Sequence, residues 1–223
     1  MVRRRDRGGT KTRAHIAAVA TELFLEHGFD EVTIAEVADA AGVSKVTVFS
    51  HFQHKEDLML DRFPDIVDLI RRAVHQRTND VGVVDAFRQI AVDLAEQEHV
   101  LSGLTGDIEP FMRTVTNSPA LVSRLQAFQF EIEAELAAAL RDDDRFTGDS
   151  ALIAALLVAA YRTVAVKTVR RRLAGHDIAD IAAAHREQLE TAFDVLTTGV
   201  PAASSPLSAI PEAREGRVAP YRT

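Results

Sequence analysis

Between Thr33 and Phe52 the chain fits two helix starts and one glycine break into 20 residues. That punctuation restricts the fold more than any other feature. Thr33-Ile34-Ala35-Glu36 is a capping box: Thr33 caps the helix and Glu36 reaches back to it. Ile34, Val37, Ala38 and Ala41 then follow as its buried positions. Gly42 breaks the chain, Val43 follows, and Ser44 is a good N-cap for a further helix reaching Ser50 or His51. Two short helices joined by a turn of about four residues containing glycine make a helix-turn-helix unit. No strand-like alternation competes elsewhere, and glycine and proline number only 11 and 7. The chain therefore reads as all-α.

A longer helix precedes this unit. Ile16, Ala20, Leu23 and Phe24 lie on one face of a helix beginning near Thr10. Gly28 ends it in the left-handed conformation, which lets Phe29 fold back on Phe24. Residues 1–9 have no apolar periodicity and read as a disordered basic arm, and residues 10–53 form the head. In the third helix Val48 and Phe52 point inward, Val46, Thr47, Ser50 and His51 cover the opposite arc, and Lys45 and Phe49 lie on the flank. A polar, cationic outer face on an anchored short helix suits a major groove. An ordinary amphipathic surface helix would carry the same pattern.

Charge is unevenly distributed. Residues 1–55 carry 8 Lys and Arg against 7 Asp and Glu, whereas the other 168 residues carry 18 against 26. The first 15 residues hold six basic side chains and one acidic. A basic arm on an acidic body suits a protein that approaches a polyanion with one end. There is no cysteine, which excludes disulfide scaffolds, thiolate metal sites and cysteine nucleophiles. The longest uncharged apolar run, Ala151 to Tyr161, is 11 residues, against the roughly 18 of a membrane span. The expectation is a soluble cytoplasmic protein with no membrane partner.

From His54 the pattern becomes a helical bundle that runs to residue 199. A fourth helix starts near Lys55-Glu56, carries Leu58 and meets Pro64, where it should kink or end near Arg62–Phe63. Apolar stripes follow around Ile66–Val74 and Val84–Leu94, then a proline-interrupted stretch from Leu104 to Pro119 and a long helix to Leu140. In the helix over 150–173, Leu152, Ile153, Leu156, Leu157, Val158 and Tyr161 cannot all face one core, so a second buried surface is needed. The last helix repeats Ile178, Ile181, His185, Leu189, Phe193 and Leu196. Residues 200–223 hold four of the seven prolines and read as a disordered tail. The expected architecture is a three-helix head on a helical bundle, about nine helices in all.

The run from Ile16 to Leu58, with Thr33-Ile34, Ala38, Gly42-Val43-Ser44, Val48-Phe49, His51-Phe52 and Lys55-Glu56 at their present spacing, resembles the DNA-binding signature of the TetR family of transcriptional repressors over about residues 12–58. The resemblance implies a homodimer that binds double-stranded DNA at a near-palindromic operator and is released by a small effector. It places Thr33 and Ser44 against phosphates, Lys45 and Lys55 beside the backbone, and Val46 and Thr47 at base edges. His51 reaches a phosphate or a base, and Ser50 shares that face. The family commonly has tyrosine where Phe49 stands, so this chain keeps the packing and loses a phosphate-bonding hydroxyl.

The resemblance also makes residues 54–199 an effector-binding and dimerisation domain. Phe87, Phe111, Met112, Phe128 and Tyr161, with Arg113 or Arg162 as polar anchors, are its candidate pocket for a mostly apolar effector, and aromatic residues at such spacing also serve as plain core. The two last helices pair with a second subunit through Leu157, Tyr161, Ile181, Leu189 and Phe193. There is no HExxH, no GxSxG and no glycine-rich phosphate loop, and the run Asp142–Asp144 reads as a solvated loop. No catalytic residue, metal or cofactor is expected.

Overall fold

The caps and glycines divide the head as the sequence suggests. In the computed structural model, which describes residues 4–106 and 108–199, α1 spans Arg4–His27, α2 Ile34–Ala40 and α3 Lys45–His51. Gly28 has φ 91° and Gly42 φ 65°, in the left-handed region that glycine enters without a Cβ penalty. The Gly28 amide donates to the Phe24 carbonyl at 3.0 Å, and Phe29 folds back until the two rings lie 4.9 Å apart. Ile16, Ala20, Phe24, Val37, Val48 and Phe52 fill the space between the three helices.

Two expectations change here. Residues 4–9 are helical, not an arm. Once α1 is nucleated each added residue gains a hydrogen bond, and arginine is a good enough helix former to offset Gly8 and Gly9. The helix expected from Lys55 into Pro64 does not form. Glu56–Leu58 make a single 3-10 turn, and α4 spans Phe63–His75 with Pro64 in its first turn. Proline belongs there, because an amide at that position has no helical partner to lose. Residues 1–3 and the expected tail over 200–223 lie outside the described residues.

The body continues with α5 (Val83–Glu96), a 3-10 turn at Val100–Ser102, α6 (Glu109–Asn117), α7 (Pro119–Arg141), α8 (Ser150–Leu173) and α9 (Ile178–Thr198). That makes nine α-helices and no strand among the described residues. Caps set the long helices: the Asp149 carboxylate accepts from the amides of Ala151 and Leu152, both at 3.0 Å, and Asp177 accepts from Ala179 at 2.9 Å. α7 packs on α4 and α8, and α9 packs on α5 and α8. α7 also divides between two cores. Its first half gives Leu121 and Phe128 to the head's core, and its second half joins Leu136 and Leu140 to Ile70, Val74, Ala154, Leu157, Leu189 and Phe193.

The head is fastened to α7 directly. Arg124 donates from Nε to Asp57 Oδ1 at 2.7 Å and from Nη1 to Glu131 Oε1 at 2.5 Å, with its guanidinium 4.0 Å above the Phe128 ring. Asp57 Oδ2 accepts from the His54 amide at 3.2 Å, and Phe63 stacks on Phe128 at 5.3 Å. At the other end of the body Asp143 is buried between Arg77 and Arg145, and Arg145 also donates to the carbonyls of Arg77 and Val74 at 2.9 and 2.8 Å.

The expected subunit interface is corrected by this packing. Leu157, Ile181, Leu189 and Phe193 are each at most 3% exposed inside their own chain. Tyr161 is half-buried and donates its hydroxyl to the Leu101 carbonyl at 2.8 Å. The most regular apolar stripes of α8 and α9 are used first against α5 and α7. On the other side of α8, Leu152, Leu156 and Val166 stand 55%, 41% and 41% exposed. By length and composition alone α8 is apolar enough to cross a membrane, and 22% of its most apolar window is buried.

Candidate nucleic-acid interface

α3 presents its reading face because its opposite face is anchored. Val48 and Phe52 are fully buried, and the Arg13 guanidinium holds the helix end by donating to the His51 carbonyl while lying 4.0 Å over the Phe52 ring. His15 Nε2 lies 3.3 Å from the Ala41 carbonyl and fixes the turn between α2 and α3. Opposite that core, Val46 is 78% exposed, Lys45 and Ser50 are exposed, and Thr47 and His51 are half-buried. Lys45, Val46, Thr47, Ser50 and His51 therefore share one outward surface. An exposed branched aliphatic side chain amid polar ones suits a thymine methyl in a major groove.

The hydroxyls of this surface are already engaged. Ser44 Oγ accepts from the Thr47 amide at 3.1 Å and lies 2.9 Å from Thr47 Oγ1. Ser50 Oγ donates to the Thr47 carbonyl at 2.7 Å. These bonds orient Thr47 and leave lone pairs outward. Thr33 differs. Its amide and its hydroxyl both donate to Glu36 Oε2, at 2.7 and 2.8 Å. The hydrogen bond from the Thr33 backbone, then that from its side chain, holds the Glu36 carboxyl below its ordinary range. The Thr33 amide and hydroxyl protons are thus committed to Glu36 within the capping box.

Two expected side chains stand elsewhere. Lys55 turns inward: its Nζ donates to the Phe29 carbonyl at 2.5 Å and sits 4.4 Å from the Phe29 ring centroid. It closes the end of α1 and does not extend the outer surface. The reason is local, since the Gly28 turn leaves the Phe29 carbonyl without a helical donor. Phe49 is 57% exposed and makes no core packing, so the substitution for tyrosine leaves a bare ring on the flank. The sequence reading missed Arg13 as an organiser of the site, because only its charge was legible.

The expected effector pocket does not assemble. Phe111 and Phe128 pack with the head's core, Phe87 and Tyr161 with the body's core, Met112 is half-buried, and Arg113 and Arg162 are exposed. A groove of about 690 Å³ lies instead between α4 and α5, and none of those residues lines it. Leu69, Ile90 and Leu94 form its apolar floor, and Arg72, Gln76, Asp93 and His99 its polar walls.

Residues 16–61 match the family model for bacterial regulatory proteins of the tetR family. Over 165 residues, 72% of either chain, the protein is 27% identical to TcmR, an HTH-type transcriptional regulator of Streptomyces glaucescens. It is 34% identical over 97 residues to TtgR, an HTH-type transcriptional regulator of Pseudomonas putida, and that match spans 46% of TtgR. Among solved structures its fold is similar to that of NalD, the secondary repressor of the MexAB-OprM multidrug efflux pump in Pseudomonas aeruginosa, with a TM-score of 0.50, 18% identity, and coverage of 82% of this chain and 97% of NalD. These relatives are regulators of transcription and not enzymes. The match to the tetR family of bacterial regulatory proteins thus falls on the helix-turn-helix head, residues 16–61.

Proposed function

We propose that the protein is a homodimeric repressor that occupies a near-palindromic operator and leaves it when a small molecule binds the body. The observation that carries this reading is the uncovered face of α8. Leu152, Leu156 and Val166 fall on one side of a helix whose opposite side is already packed, and such a face calls for a partner. A second copy of the same face, related by a two-fold axis, covers it and holds two heads at a fixed separation. Each α3 then presents Lys45, Val46, Thr47, Ser50 and His51 to one half-site, roughly one helical turn or a multiple from the other. Occupancy of a promoter by such a dimer suffices to exclude polymerase, so repression needs no further surface.

The groove between α4 and α5 is the best-supported effector seat. Its mixed lining suits an amphipathic molecule better than a mostly apolar one. α4 begins at Phe63, stacked on Phe128 beside the head, so a ligand that shifts α4 against α5 also shifts the head. The test is Leu156→Glu, examined by sedimentation and by operator mobility shift. A monomer that no longer binds operator is expected. A dimer that still binds operator normally would remove the α8 interface and with it the two-headed reading.

A further inference from the structure

α8 is basic to an extent its fold does not require. From residue 150 to residue 176 the chain has Arg162, Lys167, Arg170, Arg171 and Arg172 and not one Asp or Glu, within a formal net charge of −7. Cations are favoured near a helix C-terminus, which accounts for the last turn but not for Lys167, well before it. Arg172 has an internal use, donating to the carbonyls of Leu104 at 3.3 Å and of Gly106. Lys167 and Arg170 are exposed and Arg171 is half-buried. None of these three has an ion pair or side-chain hydrogen bond among the described residues. The next acidic group along the chain, Asp177, is committed to capping α9.

The position of this cluster follows from the topology. α7 and α8 are joined through residues 142–149 and pack along each other, Leu136 and Leu140 beside Ala154 and Leu157. Each helix is about 35 Å long at 1.5 Å per residue, so the last turns of α8 lie level with the first turns of α7. Those first turns are where the head docks. Ser118 Oγ lies 3.4 Å from Asp30 Oδ1, Arg124 binds Asp57, and Phe128 stacks on Phe63. The basic end of α8 is therefore on the head side of the body, just past the apolar stretch that ends at Val166.

We propose that Lys167, Arg170 and Arg171 form a second, sequence-independent attraction for the DNA backbone, directed at the duplex running between the two heads. This rests on operator binding by a dimer and adds to it a surface outside the helix-turn-helix. Long side chains reach towards the phosphates, and their charge acts over a Debye length of about 8–10 Å without direct contact. Such a surface adds affinity and salt dependence and reads no base. The two halves of the outer side of α8 then have separate partners, the apolar half a second subunit and the basic end the nucleic acid.

The full chain carrying K167Q, R170Q and R171Q together tests this, beside the unaltered protein. Operator binding is titrated from about 50 to about 300 mM salt, and sedimentation follows the dimer. The expected result is an intact dimer with the same base preference. Affinity falls about three- to tenfold at the lowest salt, and the salt slope becomes shallower by about 0.9 for each phosphate interaction lost. Unchanged affinity and slope would overturn the proposal. So would an affinity loss that follows dissociation of the dimer, since the cations would then bridge subunits. Failure of the unaltered protein to bind any operator would instead remove the repressor reading, and this surface with it.

Discussion

Replacing Arg124 by alanine should loosen the head from the body without unfolding the body. The side chains of Arg124 and Asp57 are 16% and 12% exposed and meet at 2.7 Å. Breaking a fully buried pair by removing one partner costs about 3–5 kcal/mol, because the remaining charge is left uncompensated. Here some solvent reaches both groups and the His54 amide still donates to Asp57, which brings that share to about 2 kcal/mol. The contact with Glu131, 42% exposed, adds less than about 1 kcal/mol. Losing the guanidinium from above Phe128 adds about 0.5–1 kcal/mol. The total is about 3 kcal/mol. Urea denaturation at fixed protein concentration measures it, and a double-mutant cycle with Asp57→Asn isolates the pair, for which a coupling of about 2 kcal/mol is expected. Hydrogen exchange should place the loss in α1–α3 and the turn at Glu56–Leu58, with α9 unchanged. A coupling below about 0.5 kcal/mol, or exchange rising equally in α9, would refute the assignment of Arg124 as the tie.

Lys45→Ala should lower the salt slope of operator binding by about one unit. Lys55→Ala should leave that slope unchanged and destabilise the head by about 1–2 kcal/mol, read by thermal melting, since it removes the donor to the Phe29 carbonyl. Val46→Ala should change which base is preferred at one position by about 1–3 kcal/mol in a binding-site selection, whereas a uniform loss across sequences would deny it a base contact. The hydrogen bonds from Arg145, then Arg77, hold the Asp143 carboxyl well below its usual 3.8. Its stabilisation is therefore complete above about pH 4 and lost as the pH falls further. Asp143→Asn should cost about 2–4 kcal/mol at neutral pH and flatten the acid limb of the stability profile. Burial holds the His185 imidazole below its ordinary value of 6.5. The unfolded chain then takes up the proton first, and stability declines as the pH drops through that value, a slope that His185→Gln should remove.

The head was legible because its signals are local. Thr33 with Glu36, Ser44 with Thr47, Gly28 and Gly42 each act within four residues, and the structure keeps every one of those bonds or turns. Periodicity likewise located α5, α7, α8 and α9. Which partner each apolar or charged face meets is not encoded locally. Leu157, Leu189 and Phe193 form the most regular stripes and suit a second subunit as well as their own core, because a stripe does not say whether it meets its own chain or another. Lys55 turns inward for a related reason, since the contact that decides it comes from Phe29, 26 residues earlier. The groove between α4 and α5 had no signature, because its walls are ordinary polar residues of two separate helices.

The inward burial of Leu157, Ile181, Leu189 and Phe193 has a consequence for the order of events in assembly. A body whose apolar spine is completed by its own α5 and α7 can fold before it meets a second copy. If the α8 faces pair as proposed above, association is an equilibrium distinct from folding, governed by how much protein the cell holds. At low abundance such a chain would persist as a folded, single-headed species with weak hold on DNA. Operator occupancy would rise with the square of protomer concentration until the dimer saturates, which gives a threshold in dosage before any effector acts.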